Sequence, residues 1–256
     1  MIILLYGGRG WMGSHFIPYV NQEIDHIIYG TSRLENYDSV MDELHTIKPD
    51  RVVCFIGRTH TDEIPTIDCL ESMPFENIRD NLFGPVILVK ACQTNGIHVT
   101  YIGTGCIYQS GENDIEFLET DQPNYNGSAY SHVKGSTDLW MLSHPDGLLH
   151  TRFRLPISRV EGDKRCLLEK LKSFKYLSTD RKQSISILPE LYPVMYDMIR
   201  RGYTGTVNMV SDPRTLQELI PDRELPIQPD QTRCFCILSN KKLKDYDNQY
   251  RRHYLQ

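Results

Sequence analysis

The sequence predicts an α/β fold: a doubly wound parallel sheet with a small C-terminal substrate-binding lobe. Short apolar runs alternate with longer segments of helical periodicity through the first half of the 256-residue chain. This alternation is typical of parallel strands covered by helices on both faces. The first apolar run ends in a glycine-rich turn, and the alternation weakens after Pro156. We therefore predict a sheet domain over residues 1–155 and a smaller lobe over residues 156–256, interleaved with the sheet.

The apolar runs are the expected strands, and each of them ends at a glycine or a proline, residues that interrupt strands. They are residues 2–6, 26–30, 51–56, 98–102 and 150–155. Helical periodicity between them predicts helices over residues 11–21, 35–47, 74–95 and 128–143. In the second part the pattern predicts helices over residues 163–174 and 188–201 and a strand over residues 205–210.

The composition excludes several classes of protein. A formal net charge of -5 gives no basic surface for a nucleic-acid partner. The apolar runs are far shorter than the roughly 20 residues that span a bilayer, so we expect no membrane segment. The N-terminus has no signal-peptide pattern, and seven cysteines are an odd number. We therefore expect reduced thiols in the cytoplasm, or in the host cytoplasm if the protein is viral.

Cysteine and histidine spacing does not predict a metal site. Cys234 and Cys236 form a C-x-C pair, but no second Cys or His pair accompanies them. A structural zinc ion needs four ligands. We therefore expect no metal.

The turn after the first strand has the spacing of a dinucleotide-binding loop. It satisfies G-x-G-x-x-G and lies between an apolar strand and a helix. Glycines there allow a tight turn and a close approach of the backbone to a pyrophosphate, which sits at the helix N-terminus. The sheet is therefore expected to be of the Rossmann type. The residues expected to contact the cofactor are Gly7, Gly10, Trp11, Met12 and Gly13.

The second strand ends near Thr31-Ser32-Arg33, where the adenosine ribose of a dinucleotide binds. An acidic residue there would favour NAD, whereas the guanidinium of Arg33 can pair with a 2′-phosphate. We therefore predict NADPH as the cofactor. Gly57, after the third strand, and Pro156, after the fifth, are expected to lie beside it.

Tyr130 and Lys134 form a Y-x-x-x-K motif on one face of a predicted helix. An ammonium group next to a phenol lowers the phenol pKa, so Tyr130 could exchange a proton near neutral pH. Thr104 lies at the end of the fourth strand and can bond a carbonyl oxygen. Cys106, two residues further on, should point into the same pocket as an acid, a base or a small space-filling residue.

Together, the glycine loop, Thr104, Tyr130 and Lys134 resemble the extended short-chain dehydrogenase/reductase superfamily over residues 1 to about 210. Asn81 resembles the helix asparagine that these enzymes use near the active site. The segment from Pro156 to Ser158 resembles their segment beside the nicotinamide. The resemblance implies a nicotinamide cofactor and substrate contacts from Asn81 and Ser158.

Three stretches are similar to one subgroup, the bifunctional 3,5-epimerase/4-reductase that makes UDP-L-rhamnose in plants and has similar proteins in giant viruses. They are residues 104–108, 121–128 and 152–158. In that subgroup a cysteine and a lysine act as the epimerase pair, which implies Cys106 and Lys170 here, with Lys164 and Lys172 close by. The implied substrate is UDP-4-keto-6-deoxy-D-glucose, with Thr59 close to the sugar.

Three alternatives remain open at this stage. GDP-L-fucose synthase pairs its cysteine with a histidine, and residues 159–172 contain none. A pure dTDP-4-dehydrorhamnose reductase has no need of Cys106. A non-catalytic NADP-binding regulatory subunit usually lacks the tyrosine or the lysine of the Y-x-x-x-K pair. The resemblance also implies homodimerisation through two of the helices that flank the sheet.

Overall fold

A computed structural model describes residues 1–111, 115–229 and 234–250. Its strands are β1 (Ile2–Tyr6), β2 (His26–Tyr29), β3 (Arg51–Cys54), β4 (His98–Thr104), β5 (Glu116–Phe117), β6 (Leu148–Phe153), β7 (Pro156–Ile157), β8 (Ser186–Ile187), β9 (Gly205–Asn208) and β10 (Ile237–Leu238). Its α-helices are α1 (Trp11–Phe16), α2 (Tyr37–Ile47), α3 (Pro74–Ile78), α4 (Gly84–Thr94), α5 (Ala129–Ser143), α6 (Leu167–Leu171), α7 (Leu188–Arg201) and α8 (Lys241–Tyr250).

The main sheet confirms the predicted fold class. Within the described ranges it has six parallel strands in the order β2-β1-β3-β4-β6-β9. The winding direction reverses at β1, which pairs with β2 on one side and β3 on the other. In open α/β sheets, ligands bind at the carboxyl ends of the strands next to such a reversal. The fold therefore directs the glycine loop, which follows β1, towards a ligand crevice.

Helices cover both faces of the sheet and bury its apolar side chains. On one face, Ile3 and Leu5 of β1 pack in a cluster with residues of α1, α7 and α8. On the other, Leu4 and Tyr6 pack with residues of α2, α4 and α5. Alternate residues of a strand point to opposite faces, so each strand contributes to both cores. This explains why the sequences of the strands are nearly continuous apolar runs.

The second part of the chain adds to the sheet and to its helical cover. Residues 205–208 add β9 beside β6, and α7 packs on the sheet. Two small strand pairs lie outside the main sheet, β7 with β8 and β10 with β5, and β5 comes from the first part of the chain. The boundary of a separate lobe stays a prediction. No helix in the described residues is long and apolar enough to cross a membrane.

Several predicted helices are shorter than their periodicity suggested. Residues 11–21 give α1 and a short 3-10 turn over Ile17–Tyr19, where Pro18 lies near the N-terminus of the turn. Residues 74–95 give α3 and α4 joined by a π-helical turn over Arg79–Phe83. Residues 163–174 give only α6. Two-residue strands such as β7 have too little sequence for a periodicity, so the pattern did not show them.

Candidate active site

The glycine loop is closely packed and leaves no room for side chains. Gly7 has φ +73°, and a Cβ on Gly13 would lie 2.4 Å from the Gly7 carbonyl oxygen. The Gly10 amide donates to that same oxygen at 3.0 Å. The loop thus brings the backbone at the start of α1 up to the end of β1, which fits the pyrophosphate of a dinucleotide. Direct cofactor contacts of these glycines remain a prediction.

Trp11 and Met12 connect the loop to the C-terminal part of the chain. The Trp11 indole N–H donates to the Asp163 carboxylate, at 2.7 Å from Oδ2, and the Tyr192 hydroxyl donates to the Met12 carbonyl oxygen at 2.9 Å. Ser158 Oγ also donates to Asp163, at 2.7 Å. Burial raises the pKa of Asp163, but the bonds from Ser158 and Trp11 outweigh it and hold that pKa below its ordinary value. Ser158, which was expected to contact the substrate, donates its hydroxyl hydrogen bond to Asp163 in this structure.

At the tip of β2 the Glu43 carboxylate holds the turn in place. It accepts hydrogen bonds from the Thr31 amide at 2.7 Å and the Ser32 amide at 3.0 Å. The Tyr6 hydroxyl donates to the same carboxylate at 2.6 Å. Arg33 follows this turn and its side chain is exposed. The arginine is thus presented at the place where the dinucleotide-binding geometry expects the adenosine ribose.

Thr104, Cys106 and Tyr130 come together at the carboxyl end of β4. Ser128 caps α5 by accepting from the Ser131 amide, and this fixes where the helix that carries Tyr130 begins. The Thr104 hydroxyl is a hydrogen-bond partner of both the Tyr130 phenol and the Cys106 thiol. Three of the five predicted catalytic residues therefore lie side by side, at the place of the predicted pocket.

Lys134 is buried near this pocket, and its ammonium group bonds the hydroxyl of Tyr101 on β4. Burial lowers the pKa of Lys134 to about 8. Burial and the nearby Cys106 raise the pKa of Tyr130, although Thr104 opposes this. The expected lowering of the Tyr130 pKa by Lys134 is therefore wrong for this structure, because the ammonium faces another phenol.

Cys106 lies beside a buried guanidinium. Nη1 of Arg154 is 3.2 Å from Cys106 Sγ and 3.4 Å from Cys234 Sγ. The hydrogen bond from Cys234 and the charge of Arg154 outweigh burial and lower the pKa of Cys106 to about 5. The same contact raises the pKa of Cys234, so Cys234 keeps the proton. With its pKa lowered, Cys106 is a thiolate at neutral pH and can accept a proton two residues beyond Thr104.

Asn81 lies at the centre of the π-helical turn and is fully buried. Its Oδ1 accepts from the Arg58 amide at 2.9 Å, and its Nδ2 donates to the Arg58 carbonyl oxygen at 2.9 Å. Nδ2 also bonds Asn77. The amide thus holds Arg58 of the loop after β3, next to Gly57. A substrate contact of Asn81 stays a prediction.

Lys170 lies on α6 and is half-buried, whereas Lys164 and Lys172 are exposed. Burial and the neighbouring Arg165 lower its pKa. Arg165 Nη1 also lies 2.9 Å from Nε2 of His60, on the loop after β3. Burial and Arg165 lower the pKa of His60 as well, so its imidazole is neutral at neutral pH.

Thr59 precedes His60, and its Oγ1 is 3.5 Å from Nη2 of Arg165. This contact joins the predicted sugar-binding loop to the segment that carries Lys170. The pairing of Lys170 with Cys106 remains a prediction.

Sequence reasoning missed four residues of this region, namely Tyr101, Arg154, His60 and Asp163. The signal for Arg154 was present, since a charged residue in a run of strand character must find partners inside the protein. The other three gave no signal, because their partners lie far away along the chain.

Comparison with known proteins agrees with this geometry. Residues 3–146 match the NAD dependent epimerase/dehydratase family. The crystal structure of the UDP-rhamnose synthase from Acanthamoeba polyphaga mimivirus superposes with a TM-score of 0.88 at 33% identity, covering 98% of this chain and 94% of that one. The Arabidopsis thaliana bifunctional dTDP-4-dehydrorhamnose 3,5-epimerase/dTDP-4-dehydrorhamnose reductase is 31% identical over 213 residues, which are 81% of this chain and 69% of that protein.

A Bacillus anthracis dTDP-4-dehydrorhamnose reductase in complex with NADP shares the fold, with a TM-score of 0.76 at 16% identity over 95% of this chain and 91% of that one. The family match covers more than half of the chain, from β1 to just past the end of α5. The matched stretch contains the glycine loop, Thr104, Tyr130 and Lys134. The chain belongs to the NAD dependent epimerase/dehydratase family.

Proposed function

We propose that the chain converts UDP-4-keto-6-deoxy-D-glucose to UDP-L-rhamnose, as a 3,5-epimerase and an NADPH-dependent 4-reductase. The observation that carries this proposal is the meeting of Thr104, Cys106 and Tyr130 at one strand end, with Cys106 beside a buried cation. A simple reductase has no use for an ionised thiol in that position. The names of the mimiviral and plant relatives support the same substrate class.

The epimerase step uses the acidity that the C4 ketone gives to its neighbouring carbons. The Cys106 thiolate takes the proton from C3 or C5, and the electron pair of the C–H bond moves into an enolate with its charge on the C4 oxygen. Thr104 and Tyr130 stabilise that oxygen by hydrogen bonds. Lys170 then gives a proton to the opposite face of the same carbon, which inverts it. Exchange with water restores the thiolate and the ammonium group.

The reductase step follows at C4. NADPH, when bound, supplies the hydride, and its pyrophosphate would lie on the glycine loop. Tyr130 gives its hydroxyl proton to the C4 oxygen, and Lys134 would hold the nicotinamide ribose of the bound cofactor. Arg33 would pair with the 2′-phosphate that distinguishes NADPH from NADH. The substrate role of Thr59 is supported by its contact with Arg165.

His60 keeps a second candidate function open. GDP-L-fucose synthases were expected to differ because residues 159–172 contain no histidine, but the fold brings His60 from another loop to Arg165, near Lys170. A neutral imidazole there could act as the second acid/base in place of Lys170. Lys170→Met and His60→Asn separate the two assignments, since only the residue that serves as partner of Cys106 is needed for inversion.

The proposal extends to a homodimer in the cytoplasm. Phe75 and Ile78 on α3, Phe83 in the π-helical turn and Leu139 on α5 are apolar but 43–84% exposed. A second copy that covers them would bury this surface between paired helices. All seven cysteines are free thiols, and the mechanism needs Cys106 reduced, which suits a reducing compartment.

The test mixes purified protein with UDP-4-keto-6-deoxyglucose and either NADPH or NADH, follows cofactor absorbance and identifies the sugar by NMR. We expect UDP-L-rhamnose without any added epimerase, and faster oxidation of NADPH than of NADH. Cys106→Ala should lower incorporation of solvent deuterium at C3 and C5 by roughly 10²–10⁴-fold and leave NADPH binding intact. Cys92→Ala, which removes a buried thiol on α4, is the matched control.

A product that keeps the D configuration would show that the protein is a 4-reductase without epimerase activity. Tight NADPH binding with no oxidation would contradict the proposal altogether and favour a GDP-sugar substrate or a regulatory subunit.

A further inference from the structure

Arg154 is a buried cation that has no carboxylate partner among residues 1–111, 115–229 and 234–250. Only 2% of the residue is exposed. Among the residues that the structure describes, its guanidinium bonds two thiol sulfurs and two neutral oxygens, the Gln183 side-chain oxygen at 2.9 Å and the Cys234 carbonyl oxygen at 2.7 Å. Isolated charges are costly inside proteins unless an opposite charge compensates them. In the described part of the chain, the acidic groups within reach are the thiols of Cys106, Cys234 and Cys236.

The guanidinium is held in a fixed orientation towards Cys106. Its Nη2 bonds Gln183 and the Cys234 carbonyl oxygen, which leaves Nη1 directed at the two sulfurs. Gln183 is itself fixed, because its backbone exchanges two hydrogen bonds with Arg214. Because Nη2 of the guanidinium is anchored, Nη1 can contact the two sulfurs without a further loss of side-chain freedom.

We propose that Arg154 is the positioning residue that keeps Cys106 as a thiolate, with Cys234 holding the neighbouring proton, so that Cys106 is a ready base in the epimerase step. This inference rests on the proposed function for its role in catalysis, but the charge state of the thiol is independent of any substrate. When Cys106 takes a proton from the sugar, the negative charge moves to the C4 oxygen, and the permanent charge of Arg154 remains at the same pocket.

Other titratable groups also face Cys106 and must be separated from Arg154 in a test. They are Tyr130 and Lys134 of α5, together with Cys234 and Cys236 before β10. Lys134 is the remaining cation of this set, and its ammonium group bonds Tyr101. Replacement of Arg154 should therefore change the ionisation of Cys106 more than replacement of Lys134.

The experiment measures the rate of iodoacetamide alkylation at Cys106 by peptide mass spectrometry as a function of pH. The wild type and the exposed-arginine control Arg201→Met should react with a midpoint near pH 5, the pKa of Cys106. Arg154→Met should raise that midpoint by roughly one to three pH units, and Arg154→Lys should restore most of the shift because it keeps a cation. An unchanged midpoint in Arg154→Met would overturn the inference.

A second measurement needs only the wild type and Cys106→Ser, in case Arg154→Met does not fold. The difference in thiolate absorbance between these two proteins should titrate near pH 5. A midpoint close to that of a free cysteine, about 8.5, would also overturn the inference.

Deuterium incorporation at C3 and C5 then tests the catalytic consequence. At neutral pH, Arg154→Met should lose at least tenfold of the wild-type rate and recover as pH rises through its new midpoint. A wild type that has the acidic thiol but exchanges no deuterium would refute the proposed function and leave the thiolate assignment standing. Exchange at the wild-type rate in a variant with a shifted midpoint would refute the catalytic role.

Discussion

Arg152 and Arg154 lie two residues apart at the end of β6. Both are buried, but their guanidinium groups have different partners. Arg152 makes a bidentate pair with Asp138 of α5, at 2.8 and 2.7 Å, and also bonds the carbonyl oxygens of Leu118 and Glu119. Arg154 faces two thiols. Among the described residues, the first cation is paired with a carboxylate, whereas the second faces thiols that must give up a proton to compensate it. The proposed chemistry therefore lies beside the buried charge that has no carboxylate partner in the described residues.

The largest expected effect comes from breaking the permanent pair. Arg152→Met leaves the buried Asp138 carboxylate with only His150 Nε2, at 3.3 Å from Oδ1, beside it among the described residues, and it should lower the free energy of unfolding by about 3–5 kcal/mol. The double variant Arg152→Met with Asp138→Leu should recover most of this loss, because it removes both charges. Urea denaturation measures the free energy of unfolding of the wild type, the single variant and the double variant.

Arg154→Met serves as the comparison in the same series, since it leaves no carboxylate unpaired and should cost less. If the Arg152 and Arg154 variants lost the same stability, the distinction between the two arginines would fail.

Asp163 gives the opposite case, a largely buried carboxylate whose partners include the neutral donors Trp11 and Ser158. Asp163→Asn should lower the free energy of unfolding by about 1–3 kcal/mol at neutral pH, since it weakens charge-assisted hydrogen bonds. The folded pKa is lowered, so the wild type has this stability above the unfolded pKa of about 3.9 and loses it as pH falls through the folded value. Urea unfolding curves at several pH values would show the gap between the two proteins closing in acid. A constant gap would contradict this reading.

A smaller effect is expected from Lys134, the buried cation of the pocket that can lose its charge. Its pKa is lowered to about 8 by burial, so the ammonium group is present below pH 8 and is lost as pH rises above it. Reduction should fall about tenfold per pH unit above that point when NADPH oxidation is followed. Lys134→Arg keeps a permanent charge and should remove this decline, even if it lowers the maximal rate. A decline that persists in Lys134→Arg would assign it to another group.

The sequence allowed the sheet and the shared pocket to be predicted because both depend on local patterns. The runs that became β1, β3 and β4 are apolar on both faces, and each ends at or next to a glycine. The Tyr130 to Lys134 spacing identified a helix face without knowledge of its surroundings. These signals are contained in a few consecutive residues.

The charge states could not be predicted, because they depend on contacts between distant segments. The pKa of Tyr130 depends on burial and on Cys106 rather than on Lys134, whose ammonium group bonds Tyr101 33 residues away. Arg154 meets Cys106 and Cys234 from three separate parts of the chain. Hydrophobic periodicity in the sequence does not indicate a contact between such distant segments, which only the folded structure shows.

The bond between Trp11 and Asp163 is expected to make the two proposed binding regions thermodynamically interdependent. Trp11 begins the helix that follows the glycine loop, and Asp163 belongs to the segment leading to Lys170. A dinucleotide that orders the loop also favours one position of that segment, and a sugar that orders the segment favours one position of the loop. Linkage requires that each ligand change the affinity for the other by the same factor. Titrations in both orders of addition, in wild type and Asp163→Asn, would give that factor.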